Sequence, residues 1–148
     1  MKKKSRMKRK KKSQLAILRD EADKLYQIKL IKEKPKSVIS GKPTEVAHHF
    51  IPKSQSNNLR YDKKNGVPLT HKEHARHHLS GDPSIVAKIL EANGQEWFDD
   101  LQARRRIVLR FNKSVLTEII ERLKQDLTTQ VDYQKRIEHL KEYGKEEN

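Results

Sequence analysis

From Gln14 to about Glu33 the apolar residues Leu15, Leu18, Ala22, Leu25, Ile28 and Ile31 recur at steps of three and four, which predicts an amphipathic helix. Pro35 ends it, because the residue before a proline is pushed out of helical backbone. Residues 37–43 hold a Gly-Lys-Pro turn, residues 45–52 read as a short strand, and a loop rich in serine and asparagine leads to a second extended stretch at residues 67–69. Thr70 or His71 then begins a helix that reaches Leu79. Ser80-Gly81 stops it, glycine being suited to the left-handed conformation past a helix end.

The second half of the chain reads as helical. Asp82 followed by Pro83 is a cap with proline at the first helical position, and the helix carrying Val86, Ile89 and Leu90 closes at Gly94. Another helix carries Trp97, Phe98 and Leu101 before the basic run Arg104-Arg105-Arg106. Asn112 or Ser114 caps a further helix with Leu116, Ile119, Ile120, Leu123 and Leu127 on one face. A last, more polar helix is expected from about Val131, fading after Lys141. The class is α+β, with a basic arm at residues 1–13, an N-terminal helix at 14–34, a core at 35–82, a helical extension at 83–142 and a frayed tail at 143–148.

Composition narrows what such a chain can do. Hydrophobic residues make up 33% of the 148 and charged residues 36%, enough for one domain with a small core and some chain outside it. The net charge of +14 is unevenly spread, since nine of the first twelve residues are lysine or arginine and none is acidic. A basic arm on a basic body points to a polyanionic partner, because each cation that neutralises a phosphate releases condensed counterions. No apolar face accompanies the arm, so a nucleic acid is expected rather than a membrane surface. The chain has no cysteine, which excludes disulfides and thiolate metal ligands. With no apolar run of membrane-spanning length and no secretory segment, the expected location is intracellular.

The chemistry concentrates in one place. Six of the seven histidines fall between His48 and His78, and imidazole both binds transition metals and titrates near neutral pH. His74 and His78 are four apart on a predicted helix, so they project from one face with Cβ atoms about 5–6 Å apart and can chelate one ion. His48 is the natural third ligand. His48 and His49 are neighbours on a strand and point to opposite faces, so one can bind metal while the other stays free as a base. His71 and His77 read as surface residues or phosphate contacts, although His77 competes with His78 for the ligand role.

The run Glu45-Val46-Ala47-His48-His49-Phe50-Ile51-Pro52, then Leu59-Arg60-Tyr61-Asp62, then Asn65-Gly66-Val67-Pro68-Leu69, then His74-Ala75-Arg76-His77-His78-Leu79-Ser80-Gly81 resembles the HNH endonuclease family. The likeness spans residues 37–82, and in pattern it is similar to phage recombination nucleases of the NinG and Rap type, with a three-histidine site similar to that of colicin-type DNases. The resemblance implies a ββα-metal core, a phosphodiester hydrolase, His49 as general base, Asn65 as the asparagine that braces the loop and orients that base, and His48, His74 and His78 as ligands of one divalent ion. Arg60, Lys53 and Arg76 are the expected phosphate contacts, DNA the expected partner in duplex or branched form, and a phage gene acting in a bacterial cytoplasm the implied setting.

Family members often carry two Cys-x-x-Cys knuckles around this motif, and the corresponding positions here are Ser37, Ser40, Thr70 and Glu73. Hydroxyls and one carboxylate are poor zinc ligands, so no structural zinc is expected. The working cation is left as magnesium, manganese, nickel or zinc. Two rival classes stand beside the nuclease: a non-catalytic DNA-binding protein with a degenerate zinc-finger-like module, and an RNA-directed protein, which eight aromatics with no paired stacking motif support poorly. The apolar stripes after Asp82 fit either a homodimer interface or a cover for the hairpin.

Overall fold

The computed structural model describes residues 10–146, leaving out some side chains of the last helix. Residues 1–9 of the expected arm and 147–148 of the expected tail lie outside the described residues. The described chain is mixed α+β, with five helices and one two-stranded antiparallel sheet. In order these are α1 (Gln14–Glu33), β1 (Val46–His49), a 3₁₀ turn (Lys63–Asn65), β2 (Gly66–Leu69), α2 (His71–Ser80), α3 (Pro83–Asn93), α4 (Gln95–Arg104) and α5 (Lys113–Glu146). Among the described residues no helix is long and apolar enough to cross a membrane.

The helix ends follow local side-chain chemistry. The Ser13 hydroxyl accepts from Ala16 N at the start of α1. At α2, Thr70 and Glu73 form a reciprocal capping box, and Gly81 closes the helix at φ 59°. Asp82 caps α3 in front of Pro83, and α3 ends at Gly94. Asn112, rather than Ser114, caps α5: its side-chain oxygen accepts from Val115 N and its carbonyl from Leu116 N.

Two expectations about helices are corrected. The predicted boundary near Val131 is absent, and α5 runs unbroken through Glu146. That boundary rested on a change in polarity, which does not break a helix, and Thr128 and Thr129 return their hydroxyls to the carbonyls one turn back, Lys124 and Gln125, without interrupting it. On α1, Leu15, Leu18, Ala22 and Leu25 of the expected stripe pack on the core, but the fully buried line is Ala22, Tyr26 and Leu30, and Ile28 is 45% exposed. The buried face is shifted toward Tyr26 and Leu30, and away from Ile28, because two partners grip the helix, α5 on one side and the hairpin on the other.

Three small apolar clusters hold these layers. Ala22, Tyr26 and Leu30 meet Leu116, Ile119, Ile120 and Leu123 of α5, with Ala47 and Tyr61 between them. Val67 and Leu69 of β2 pack on Ile85 and Ile89 of α3, and Ile51 and Leu59 of the long loop pack on Leu101 of α4. β1 and β2 pair in the register Val46↔Leu69, Ala47↔Pro68, His48↔Val67, His49↔Gly66. The strand expected over residues 45–52 stops at His49 because the chain turns at Ile51, whose backbone bonds to the side chain of Asn65 instead of another strand.

Candidate metal centre

β2 leads directly into α2 through the Thr70 cap, which folds the helix back across β1. His48, 5% exposed, points from β1 into that helix. Its ring centroid lies 5.2 Å from that of His74, 5.3 Å from His78 and 4.9 Å from His77. His74 and His78 are 4.4 Å apart. One nitrogen from each of His48, His74 and His78 can be chosen so that all lie within 4.8 Å of one another.

The donor set fits a divalent transition ion. Three neutral imidazoles suit zinc, nickel or copper better than magnesium, which prefers oxygen. Burial, and then the neighbouring imidazoles, push His48 down to about 3 from the ordinary 6.5, and burial also lowers His74. These rings are therefore held in the lone-pair form that ligation requires. His77 lies against His48 and His78, yet the group whose donor atoms all converge contains His78.

His49 faces away from the trio, as alternation along a strand requires, but it shares a cleft of about 290 Å³ with His48, His74, His78, Gln27 and Lys53. Its Nε2 lies 2.8 Å from the Arg60 carbonyl. A carbonyl can only accept, so Nε2 carries the hydrogen and Nδ1 the lone pair. Burial lowers the His49 pKa, only partly opposed by that hydrogen bond, and the ring is stacked on Tyr26 at 5.0 Å and 25°.

Asn65 is fully buried. Its Oδ1 accepts from Ile51 N at 2.7 Å, and its Nδ2 donates to the carbonyls of Ile51 at 3.0 Å and Leu59 at 3.1 Å. It braces the loop and reaches His49 at one remove: the Leu59 carbonyl it holds precedes the Arg60 carbonyl that orients the ring.

The three expected phosphate contacts separate. Lys53 lines the histidine cleft, 45% exposed at its side chain and 3.7 Å from Asp23. Arg60 lies nearby, but its guanidinium makes two hydrogen bonds to Asp23 at 3.0 and 2.7 Å. Arg76 is paired with Asp82 and borders a different groove with Lys42, Lys72 and Lys88, since a residue two positions on from His74 lies on the opposite face of α2.

The four positions matched to cysteine knuckles also meet. Glu73, 5% exposed, accepts through Oε2 from Ser37 Oγ at 2.6 Å and from Thr70 N at 2.7 Å, while Ser37 Oγ accepts from the backbone of Ile39 and Ser40. Burial raises the Glu73 pKa, but these hydrogen bonds outweigh it and hold the carboxyl below its ordinary range.

Four residues around the site carry no signal in the sequence: Asp23, Tyr26, Gln27 and Lys34, all on α1 or its cap. Each is an ordinary polar or aromatic residue in a helix, and no local spacing marks it. Only the docking of α1 on the hairpin brings them to the histidines. Comparisons of the chain with family models, with curated proteins and with solved structures find no match.

Proposed function

We propose that the chain is a metal-dependent DNA endonuclease of the HNH type, its β1–β2–α2 unit serving as a ββα-metal core. The observation that carries this reading is the division of two adjacent histidines: His48 joins His74 and His78, while His49 enters the same cleft with a lone pair free. A divalent ion held by His48, His74 and His78 would supply Lewis-acid polarisation of the phosphodiester and stabilise charge on the departing oxygen.

The rest is done by the chain. His49, neutral near pH 7, takes a proton at Nδ1 from the water that attacks phosphorus, and its Nε2–H stays on the Arg60 carbonyl throughout. The positive charge that develops on the ring lies close to Asp23, whose favourable effect on protonated His49 opposes that of Lys53 and Arg60. Lys53 at the cleft holds a phosphate oxygen. In-line displacement of the 3′ oxygen leaves 5′ phosphate and 3′ hydroxyl ends. The uneven charge supports the same partner, since a net +14 favours phosphate contact independent of sequence; duplex and branched DNA both fit, and phage recombination is the setting the motif suggests.

The test is incubation of supercoiled plasmid and a four-way junction with the protein across magnesium, manganese, nickel and zinc, with chelator and His49→Ala controls. Cleavage that needs metal and drops about 10²–10⁴-fold without His49 is the expected result. DNA binding with no cleavage under any metal would favour a non-catalytic DNA-binding protein instead.

A further inference from the structure

We infer that Gln27 is a positioning residue of the metal centre, its side-chain amide standing in for a third strand on the free edge of β1. The inference rests on reading His48, His74 and His78 as one metal site, and it does not depend on hydrolysis.

A two-stranded sheet is marginal by itself, and the outer edge of each strand presents N–H and C=O groups that need partners. Ala47 stands opposite Pro68, which has no N–H to give. In an antiparallel ladder the residues of such a pair turn their backbone groups outward, and both do so here. The Pro68 carbonyl accepts from Val38 N at 3.1 Å on the β2 side. On the β1 side, Gln27 Nε2 donates to the Ala47 carbonyl at 2.8 Å and Gln27 Oε1 accepts from Ala47 N at 2.8 Å. One amide side chain thus makes the two bonds that a neighbouring strand would make.

The residue so held is the one before His48. Ala47 is 2% exposed, so losing Gln27 strands both of its backbone groups in the interior, and the edge can recover them only by moving or admitting water. Either response displaces His48 from His74 and His78, and the convergence of three nitrogens tolerates little displacement. Gln27 belongs to one continuous face of α1, with Asp23, Tyr26, Leu30 and Lys34 at helical spacing. Asp23 holds Arg60, Tyr26 stacks on His49 and donates to the Asp62 carbonyl at 2.8 Å, and Lys34 donates to the Gly66 carbonyl at 2.7 Å. Leu30 and Tyr26 lie so close to Gly66 that a Cβ there would sit 2.3 Å from one and 2.7 Å from the other. Within that face, Gln27 is the residue bonded to β1 itself next to a metal ligand.

The test is calorimetric titration of the full chain with zinc, comparing wild type, Gln27→Ala, Gln27→Glu and Leu123→Ala, together with the exchange rate of the Ala47 amide. Gln27→Ala is expected to weaken zinc binding about 10–100-fold, the usual cost of losing a group that orients a ligand, and to deprotect the Ala47 amide. Gln27→Glu keeps the acceptor for Ala47 N–H and loses the donor to its carbonyl, so it should weaken zinc binding while leaving that amide protected, and it carries the test if the alanine variant does not fold. Leu123→Ala removes core packing between α1 and α5 and should leave zinc affinity within about twofold of wild type. Unchanged zinc affinity in both Gln27 variants overturns the inference, and so does an equal loss in Leu123→Ala, which would mark a merely structural effect. If wild type binds no zinc, the metal reading fails, and Ala47 exchange still reports whether Gln27 holds the edge.

Discussion

Replacing Asn65 by alanine should be among the most damaging single changes in this chain. The side chain is fully buried and serves three backbone groups. Ile51 N–H loses its partner at 2.7 Å and the Ile51 carbonyl its partner at 3.0 Å. The Leu59 carbonyl keeps Asp62 N at 3.2 Å, so its loss is partial. A buried neutral group left without a partner costs about 1–3 kcal/mol, so the two groups of Ile51 and the small void together come to about 3–5 kcal/mol. Against a total stability of about 5–15 kcal/mol for a domain, that is a large fraction. Urea denaturation monitored by Trp97 fluorescence and by circular dichroism measures it, and a fall of about 2 M in midpoint with an unchanged slope is expected. Asn65→Asp should lose nearly as much, because its second oxygen would face two carbonyls. A loss below about 1 kcal/mol in both variants would refute the bracing role and, with it, the explanation of why β1 ends at His49.

Gly66→Ala should destabilise by about 1–3 kcal/mol, the usual range for overpacking, since its Cβ would meet the side chains of Leu30 and Tyr26; thermal denaturation checks it, and an unchanged midpoint would mean that α1 packs more loosely on the hairpin. Acid should destabilise the metal-free protein: with His48 at about 3 in the fold against the ordinary 6.5 of an unfolded chain, the unfolded chain binds a proton that the fold refuses, so the contribution is intact above 6.5 and is lost as pH falls toward 3. At pH 5 that one group costs roughly 2 kcal/mol, His49, His74 and His77 shift in the same direction, and equal urea midpoints at pH 8 and pH 5 in chelator would contradict it. Asp23→Asn should leave the Arg60 guanidinium without its charged partner and remove the carboxylate that favours protonated His49, so kcat should fall while KM changes little; a change confined to KM would instead place Arg60 on the DNA.

Much of the site can be read along the chain because its parts obey local rules. The i,i+4 spacing of His74 and His78 needs only a helix, and Thr70, Glu73 and Gly81 declare where that helix starts and stops. Opposed facing of His48 and His49 needs only a strand. What spacing cannot give is long-range: the Arg60 carbonyl that fixes the His49 ring, the guanidinium of Arg60 turned to Asp23, and Gln27 on Ala47. The last two depend on how α1 docks, and α1 sets Tyr26 and Leu30 at the centre of its contact, beside the apolar stripe that the spacing marks, because α5 and the hairpin both claim it. The length of α5 is hidden for a different reason, since a helix can continue past the end of its apolar face while its backbone ladder is intact.

The central claim is that three imidazoles grip one ion beside a fourth left free. Anomalous diffraction at the zinc or nickel edge, from crystals grown with that metal, tests it most directly. One peak about 2.0–2.1 Å from a nitrogen of each of His48, His74 and His78, with the His49 ring still on the Arg60 carbonyl, is the expected result. A peak ligated by His49, or none among these residues at saturating metal, would contradict it.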